Sequence, residues 1–293
     1  MKKLFSNKSS VVGFAGALLV ILLAVIGPYI TPFDPERPTT DVILPPSARH
    51  LFGTDASGLD VFSVTIAAFR VDITIALVGV GISFVLGVLL GAVTGFAEAL
   101  SKGWRAVAAV IDAVLDVFQS LPVTIFALAL VAVFGRDVGS VIAAITFVMT
   151  PQFARLVRSA LKSVVNGGLV ASCKVLGLSP SKTLVVHALP NSLSSATAYI
   201  SVAIGMSVLL VASLSFLGAG VRPPTPEWGY IMSMGANYVA TGQWWVSVLP
   251  GLVLSVTVVM FALAGDAITS MLGRQRKYAV IEDANNTLEG VGR

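Results

Sequence analysis

Residues 177–183 read GLSPSKT, a glycine, a lysine and a hydroxyl in close order. These are the residue types of a phosphate-binding loop, whose backbone N–H groups cradle the phosphates while a lysine neutralises them and a hydroxyl meets the metal. The spacing does not support that chemistry. Counted from Gly177, Lys182 stands where the second glycine of GxxxxGK[ST] is needed, so the loop is one residue short. No nucleotide site is read here. The chain has two histidines, His50 and His187, and one cysteine, Cys173. No HExxH, Cys/His cluster or EF-hand spacing is present, so no metal site is expected. One cysteine forms no intrachain disulfide. No GxSxG motif or nucleophile–base set stands out, and His187 reads as a polar helix-end residue.

Asp112 and Asp116 lie four residues apart, the spacing of one helix face. An acid at a bilayer centre costs roughly 2.5–3.5 kcal/mol on insertion scales, so the pair reads as a cation or peptide-amine site or a proton relay if it lies deep. The competing and preferred reading puts both near one membrane boundary, paired with bases such as Arg105. Asp266 is read the same way.

The elements that must position these groups are membrane helices. Of 293 residues 56% are hydrophobic and 12% charged, half the charged share of a soluble domain at about 25%. Mean hydropathy is +0.89. The net charge of +4 is modest, and its placement says more than its sum, so nucleic-acid binding is not read from it. The first apolar run, 11–30, follows Lys2, Lys3 and Lys8. It is long enough to cross a bilayer and longer than a signal-peptide core, so it reads as a span. A proline- and aspartate-rich stretch follows to residue 70 and reads as an ordered loop. Further spans are expected at about 71–97, 106–134, 138–153, 194–217 and 246–271. The third carries Ser120-Leu121-Pro122, where proline favours a kink. A loop over 218–245 contains VRPPTPEWG, and 274–293 reads as a polar, mobile tail.

Six spans put both termini on one side. Fourteen lysines and arginines lie on the side of the termini and of residues 155–182, against five on the other. The positive-inside rule makes the basic side cytoplasmic and the proline-rich loops external.

Between the fourth and fifth spans the sequence is built as two short helices. Leu169, Cys173 and Leu176 recur at i, i+4 and i+7 on one face. Gly177 is placed to end the first helix in a left-handed conformation. Ser179 caps the second with Pro180 at its first position, and Pro190 ends it. One reading is a linker resting on lipid headgroups. The other is a docking element whose apolar face enters a partner's groove, with Lys174 and Lys182 at the rim.

This segment resembles the cytoplasmic EAA-type loop of ABC-importer permease subunits, EAA-x-x-x-G with LPN a dozen residues on. Ala171, Ser172 and Cys173 hold the EAA places, Gly177 the glycine and Leu189-Pro190-Asn191 the close. LFGTDASGLDVFS at 51–63 resembles the LGTDxxGRDVxS motif of the dipeptide/oligopeptide/nickel permease family, the type with an extra N-terminal region. SFLGAGVRPPTPEWG at 215–229 resembles its SFLGLGVxPPxPxWG motif. Two departures stand out: Ala171 replaces the acid of EAA, and Leu59 the arginine of GRD.

The resemblance implies an all-α, six-span permease of the type I ABC-importer fold. It implies an N-terminal region 1–70, a core 71–273 with a coupling loop at about 163–190, and the tail 274–293. This chain would bind no cofactor and catalyse nothing itself. It would pair with a second permease subunit, as a heterodimer, in a bacterial or archaeal cytoplasmic membrane. Two cytoplasmic ATPases would use ATP and Mg and dock on Leu169, Ala171, Ser172, Cys173, Lys174, Leu176, Gly177, Pro180 and Lys182. A solute-binding protein would deliver peptides or similar solutes to the external face. There the family motifs supply Gly53, Thr54, Asp55, Gly58, Asp60, Pro223, Pro224, Pro226 and Trp228.

Trp228, Trp244 and Trp245 are expected to anchor spans at the membrane interface. Gly79, Gly81, Gly87, Gly91 and Gly95 recur along the second span and are read as sites of close helix packing, ahead of a small-side-chain pathway lining. A secondary transporter would show inverted repeats and mid-membrane ionisable groups, and neither is evident. An intramembrane enzyme lacks its catalytic set.

Overall fold

The computed structural model describes residues 8–97 and 100–291, with side chains described over 9–97 and 100–271. Lys2, Lys3 and the side chains of the 274–293 tail lie outside the described residues. The helices are α1 (Lys8–Ile30), α2 (Val61–Phe96), α3 (Lys102–Ser120), α4 (Val123–Phe134), α5 (Val138–Asn166), α6 (Leu169–Val175), α7 (Pro180–Phe216), α8 (Trp228–Val239) and α9 (Trp245–Val291). Five of them carry apolar stretches long enough to cross a membrane, and α3 with α4 forms a sixth, bent by 98°. An all-helical answer follows from the solvent, because lipid leaves every backbone group to be paired within the segment. The bend falls at Leu121-Pro122, where the kink was expected, and turns almost a right angle.

α2 and α5 run parallel and mesh closely. A Cβ on Gly79 would meet Ile145, on Gly87 Phe153, on Gly91 Ala154 and Val157, and on Gly95 Leu161. Only Gly81 of that series faces open space. The glycine stripe is therefore mainly a packing device. α1 packs antiparallel to α9, with Gly13 on Leu263 and Ala264 and Gly16 on Met260; Gly27 rests against Ile66 of α2. This register puts the start of α1, the end of α5 and the later part of α9 at one end of the bundle, here the basic end. The loops before α2 and α8 occupy the opposite, proline-rich end.

Three boundaries differ from the sequence expectation. α2 begins at Val61 rather than near 71, because Asp60 caps it by accepting from the Ser63 N–H at 2.8 Å. α8 occupies a stretch that the sequence presents as loop. Glu227 caps it, accepting from the Gly229 and Tyr230 N–H groups at 2.9 and 2.8 Å. Pro190 does not end a helix. α7 runs through it because the preceding Thr183–Ala188 widens into a π-helix, with the Leu189 N–H reaching the Leu184 carbonyl. Asn191 Nδ2 and Ser192 Oγ then donate to the His187 and Ala188 carbonyls at 2.9 and 2.7 Å. Wider turns and side-chain donors relieve the backbone groups that a proline leaves unserved. The backbone of α9 continues as helix through Val291, into the segment expected to form a tail.

Candidate functional site

At the basic end, α5 leads through Gly167 and Gly168 into α6. α6 ends as the sequence predicts: Gly177 has φ +73°, Leu178 N–H donates to Cys173 O and Gly177 N–H to Lys174 O, both at 3.0 Å. This closes the last turn and satisfies two orphan carbonyls. Ser179 Oγ accepts from the Lys182 N–H at 3.4 Å, with Pro180 in the first position of α7. The face differs from the one expected. Cys173 is buried, and Leu169 packs on the protein's own core. The apolar groups turned outward are Val175, 88% exposed, and Leu176, 76% exposed. Ala171, Ser172, Lys174, Pro180 and Lys182 are exposed beside them. The segment thus anchors itself through Leu169 and Cys173 and presents a separate apolar tip, rimmed by lysines.

The acids of α3 are paired across to α5. Asp112 meets Arg158 at 2.8 Å and Asp116 meets Arg155 at 3.3 Å. The expected pairing with bases holds, but with α5 rather than Arg105. Next to this contact, at the α3–α4 bend, a cleft of about 190 Å³ opens between α4, α5 and α7. Most of its lining is apolar, but Gln119, Gln152 and Tyr199 bring two amides and a phenol to it. Sequence reading passed over these three, since isolated amides in apolar runs carry no motif.

At the proline-rich end the two motif segments meet. Gly53 has φ +74°, and a side chain there would strike Leu44 O and the Trp245 ring. Thr54 exchanges hydrogen bonds with Leu44: its N–H donates to the carbonyl at 3.0 Å and its Oγ1 accepts from the amide at 2.8 Å. Asp55 Oδ1 accepts from the Ser57 and Leu59 N–H groups, both at 2.8 Å. Burial pushes the Asp55 carboxyl above its ordinary range, against the opposing pull of these backbone donors. Gly58 O accepts from Thr39 N–H and Oγ1 at 2.8 and 2.7 Å.

Asp60 does more than cap. His50 Nδ1 lies 2.8 Å from Asp60 Oδ1 and Nε2 lies 3.3 Å from Asp41, whose carboxylate also meets Arg49 at 2.9 Å. Phe33 stacks on the imidazole with ring centroids 4.6 Å apart. His50 therefore pins the 31–60 loop to the start of α2. A crevice of about 200 Å³ separates the two motifs, with Asp55 and Leu59 on one wall and Pro223, Pro224, Pro226 and Tyr230 on the other.

The interfacial reading fails for Trp228. It is fully buried, its ring N–H donates to Thr65 O at 2.9 Å, and Phe69 packs edge-on at 4.7 Å. A buried indole needs an acceptor, and the first turns of α2 supply one. Trp245 is also largely buried, whereas Trp244 stays exposed.

A family model described as the binding-protein-dependent transport system inner membrane component matches residues 64–278. The chain belongs to this permease family. A second model, the N-terminal TM domain of oligopeptide transport permease C, matches residues 1–46 of the permease. The permease is 32% identical over 280 residues to the di/tripeptide transport system permease protein DppC of Pseudomonas aeruginosa (strain UCBPP-PA14), covering 93% of this chain and 90% of that one. It is 34% identical over 278 residues to the dipeptide transport system permease protein DppC of Escherichia coli (strain K12), covering 92% and 90%. Its fold matches that of the MetNI methionine ABC transporter in inward-facing conformations, with a TM-score of 0.59 at 20% identity over 71% of this chain and 95% of that one. The permease is thus a multi-pass inner-membrane subunit of a binding-protein-dependent ABC importer. Such subunits carry no ATPase site of their own.

Proposed function

We propose that this permease forms half of the pathway by which peptides or similar small solutes enter the cell, paired with a second, non-identical permease subunit. Two ATPase subunits dock on the 169–187 segment and use ATP and Mg, while this chain binds no cofactor. The observation that carries this reading is the division of labour in α6: inward-turned Leu169 and Cys173 secure the helix, and outward-turned Val175 and Leu176 leave an apolar tip between Lys174 and Lys182. A linker resting on lipid has no need of a capped, sharply punctuated turn. A coupling element that must pass a push into α5 and α7 needs one. On this reading the basic end and both termini are cytoplasmic, and the proline-rich end receives the solute-binding protein at the Asp55–Pro224 crevice.

The dipeptide permeases among the relatives support a peptide-like solute. The cleft at the α3–α4 bend supports it too, since Gln119, Gln152 and Tyr199 offer donors and acceptors of the kind peptide groups require. Leu176→Asp tests the docking role. Co-purification with the ATPase subunits and solute-stimulated ATP hydrolysis should both collapse, with the thermal stability of the permease itself unchanged, because Leu176 is exposed. Full ATPase capture by this variant refutes the docking reading.

A further inference from the structure

Asp72 of α2 and Glu227 of the proline-rich loop are both fully buried and hold consecutive backbone amides, Asp72 that of Trp228 and Glu227 those of Gly229 and Tyr230. Among the described residues no cationic side chain is ion-paired with either. Among the described residues, the only ionisable group acting on either carboxyl is the other one. The nearby bases turn elsewhere: Arg70 donates to Tyr29 of α1, and Arg222 lies toward Asp137. Two adjacent carboxylates in a buried, cation-free site cannot both stay ionised.

The hydrogen bonds show where relief must come. Glu227 Oε1 and Oε2 accept from the Gly229 and Tyr230 N–H groups at 2.9 and 2.8 Å. Asp72 Oδ2 accepts from the Trp228 N–H at 3.1 Å. Asp72 Oδ1 is buried with no hydrogen-bond partner. A metal cation such as Ca²⁺ takes about six to eight oxygens, whereas three of the four carboxylate oxygens here are already held by backbone N–H groups. A proton on Asp72 Oδ1 meets every requirement. It removes one charge and turns an orphan acceptor into a donor to Glu227.

We propose that Asp72 and Glu227 bind a single proton between them and that this proton fastens the 218–229 loop to α2. The site is a proton-binding latch between a membrane span and the loop that carries the second family motif. Burial also raises the Glu227 carboxyl above its ordinary range. Folding therefore takes up a proton. The stability it contributes is complete below the ordinary carboxylate range near pH 4 and is lost as pH rises through the raised folded value of Glu227. That this loop meets the external medium rests on the proposed orientation; the latch itself does not.

The test uses the full chain purified with its partner subunits in lipid nanodiscs. Infrared difference spectra should show the carbonyl stretch of a buried, protonated carboxylic acid at neutral pH, absent in Asp72→Asn and in Glu227→Gln. The melting temperature of the wild type should fall further on alkalinisation than that of Asp72→Asn, whose amide donates permanently. A wild-type spectrum without the protonated-acid band overturns the proposal. So does a rise in wild-type melting temperature on adding NaCl or CaCl₂ at constant ionic strength that Asp72→Asn abolishes, since that assigns the site to a metal cation. If Asp72→Asn does not assemble, the wild-type band and its loss in Glu227→Gln still decide. Neither readout depends on which solute is carried.

Discussion

The indole N–H of Trp228 donates to the carbonyl of Thr65 at 2.9 Å, joining residues 163 positions apart. It ties the start of α8 to the first turns of α2, beside the Asp72 contact with the same residue's amide. Trp228→Phe keeps most of the ring and deletes the donor. The loss should be about 1–3 kcal/mol, the usual cost of breaking a buried hydrogen bond. Thermal unfolding in detergent checks it, and an unchanged midpoint would count against the tie.

The α2–α5 contact makes a paired prediction. Gly87→Ala places a methyl carbon 2.3 Å from Phe153 Cβ and 2.9 Å from the Ala154 amide. Overpacking against backbone should cost about 1–3 kcal/mol. Gly81→Ala meets nothing within 4 Å and should be neutral, or gain up to about 1 kcal/mol from helix propensity. Equal effects at the two positions would mean that the stripe lines a path rather than a seam.

Much of this arrangement was legible because membrane spans announce themselves through length and apolarity. The punctuation of α6 was legible as well, since Gly177, Ser179 and Pro180 each act on their nearest neighbours. What escaped depended on distant partners. Asp60 stood out only as part of a motif, and its cap on α2 and its bond to His50 emerge only once the 31–60 loop folds back. Trp228 looked like a belt residue because nothing local reveals Thr65. Pro190 looked like a stop because a widened helical turn has no signature of its own. The α3–α5 ion pairs were foreseen in kind, but the partner was chosen by proximity in sequence and the fold chose by register.

Gly177→Pro attacks the turn directly. Proline fixes φ near −65°, whereas Gly177 sits at +73° and its N–H is bonded to Lys174 O. Membrane insertion should persist, while uptake into proteoliposomes should fall at least tenfold relative to ATP hydrolysis. Normal uptake by this variant would remove the turn from the coupling path.

Asp55 offers a pH test at the proline-rich end. Its carboxyl is raised by burial, so its stabilising share is full below the unfolded value near pH 4 and declines as pH rises through the folded value. Asp55→Asn keeps an acceptor for the Ser57 and Leu59 amides without the charge. Its melting temperature should match the wild type at acid pH and exceed it at neutral pH. The opposite order would show that the ionised form is the one the loop prefers.

The two α3–α5 ion pairs should differ in strength. Asp112–Arg158 is the shorter and less exposed, at 2.8 Å with side chains 17% and 35% exposed, against 3.3 Å with 68% and 60% for Asp116–Arg155. Double-mutant cycles should return about 0.5–1 kcal/mol for the first and close to zero for the second. Equal couplings would mean that exposure does not govern them.

The meshing of α2 with α5 has a mechanical consequence. With Ile145, Phe153, Val157 and Leu161 seated in successive glycine gaps, the two helices resist sliding and bending independently and behave as one stiff beam. At 1.5 Å per residue its α2 member is about 54 Å long. A tilt of about one degree, pivoted at one end, swings the other by on the order of 1 Å. The Gly167 turn hangs from the beam's tip. A nudge too small to disturb packing there becomes, at the far end, a displacement large enough to strain or part a bond such as Trp228 to Thr65.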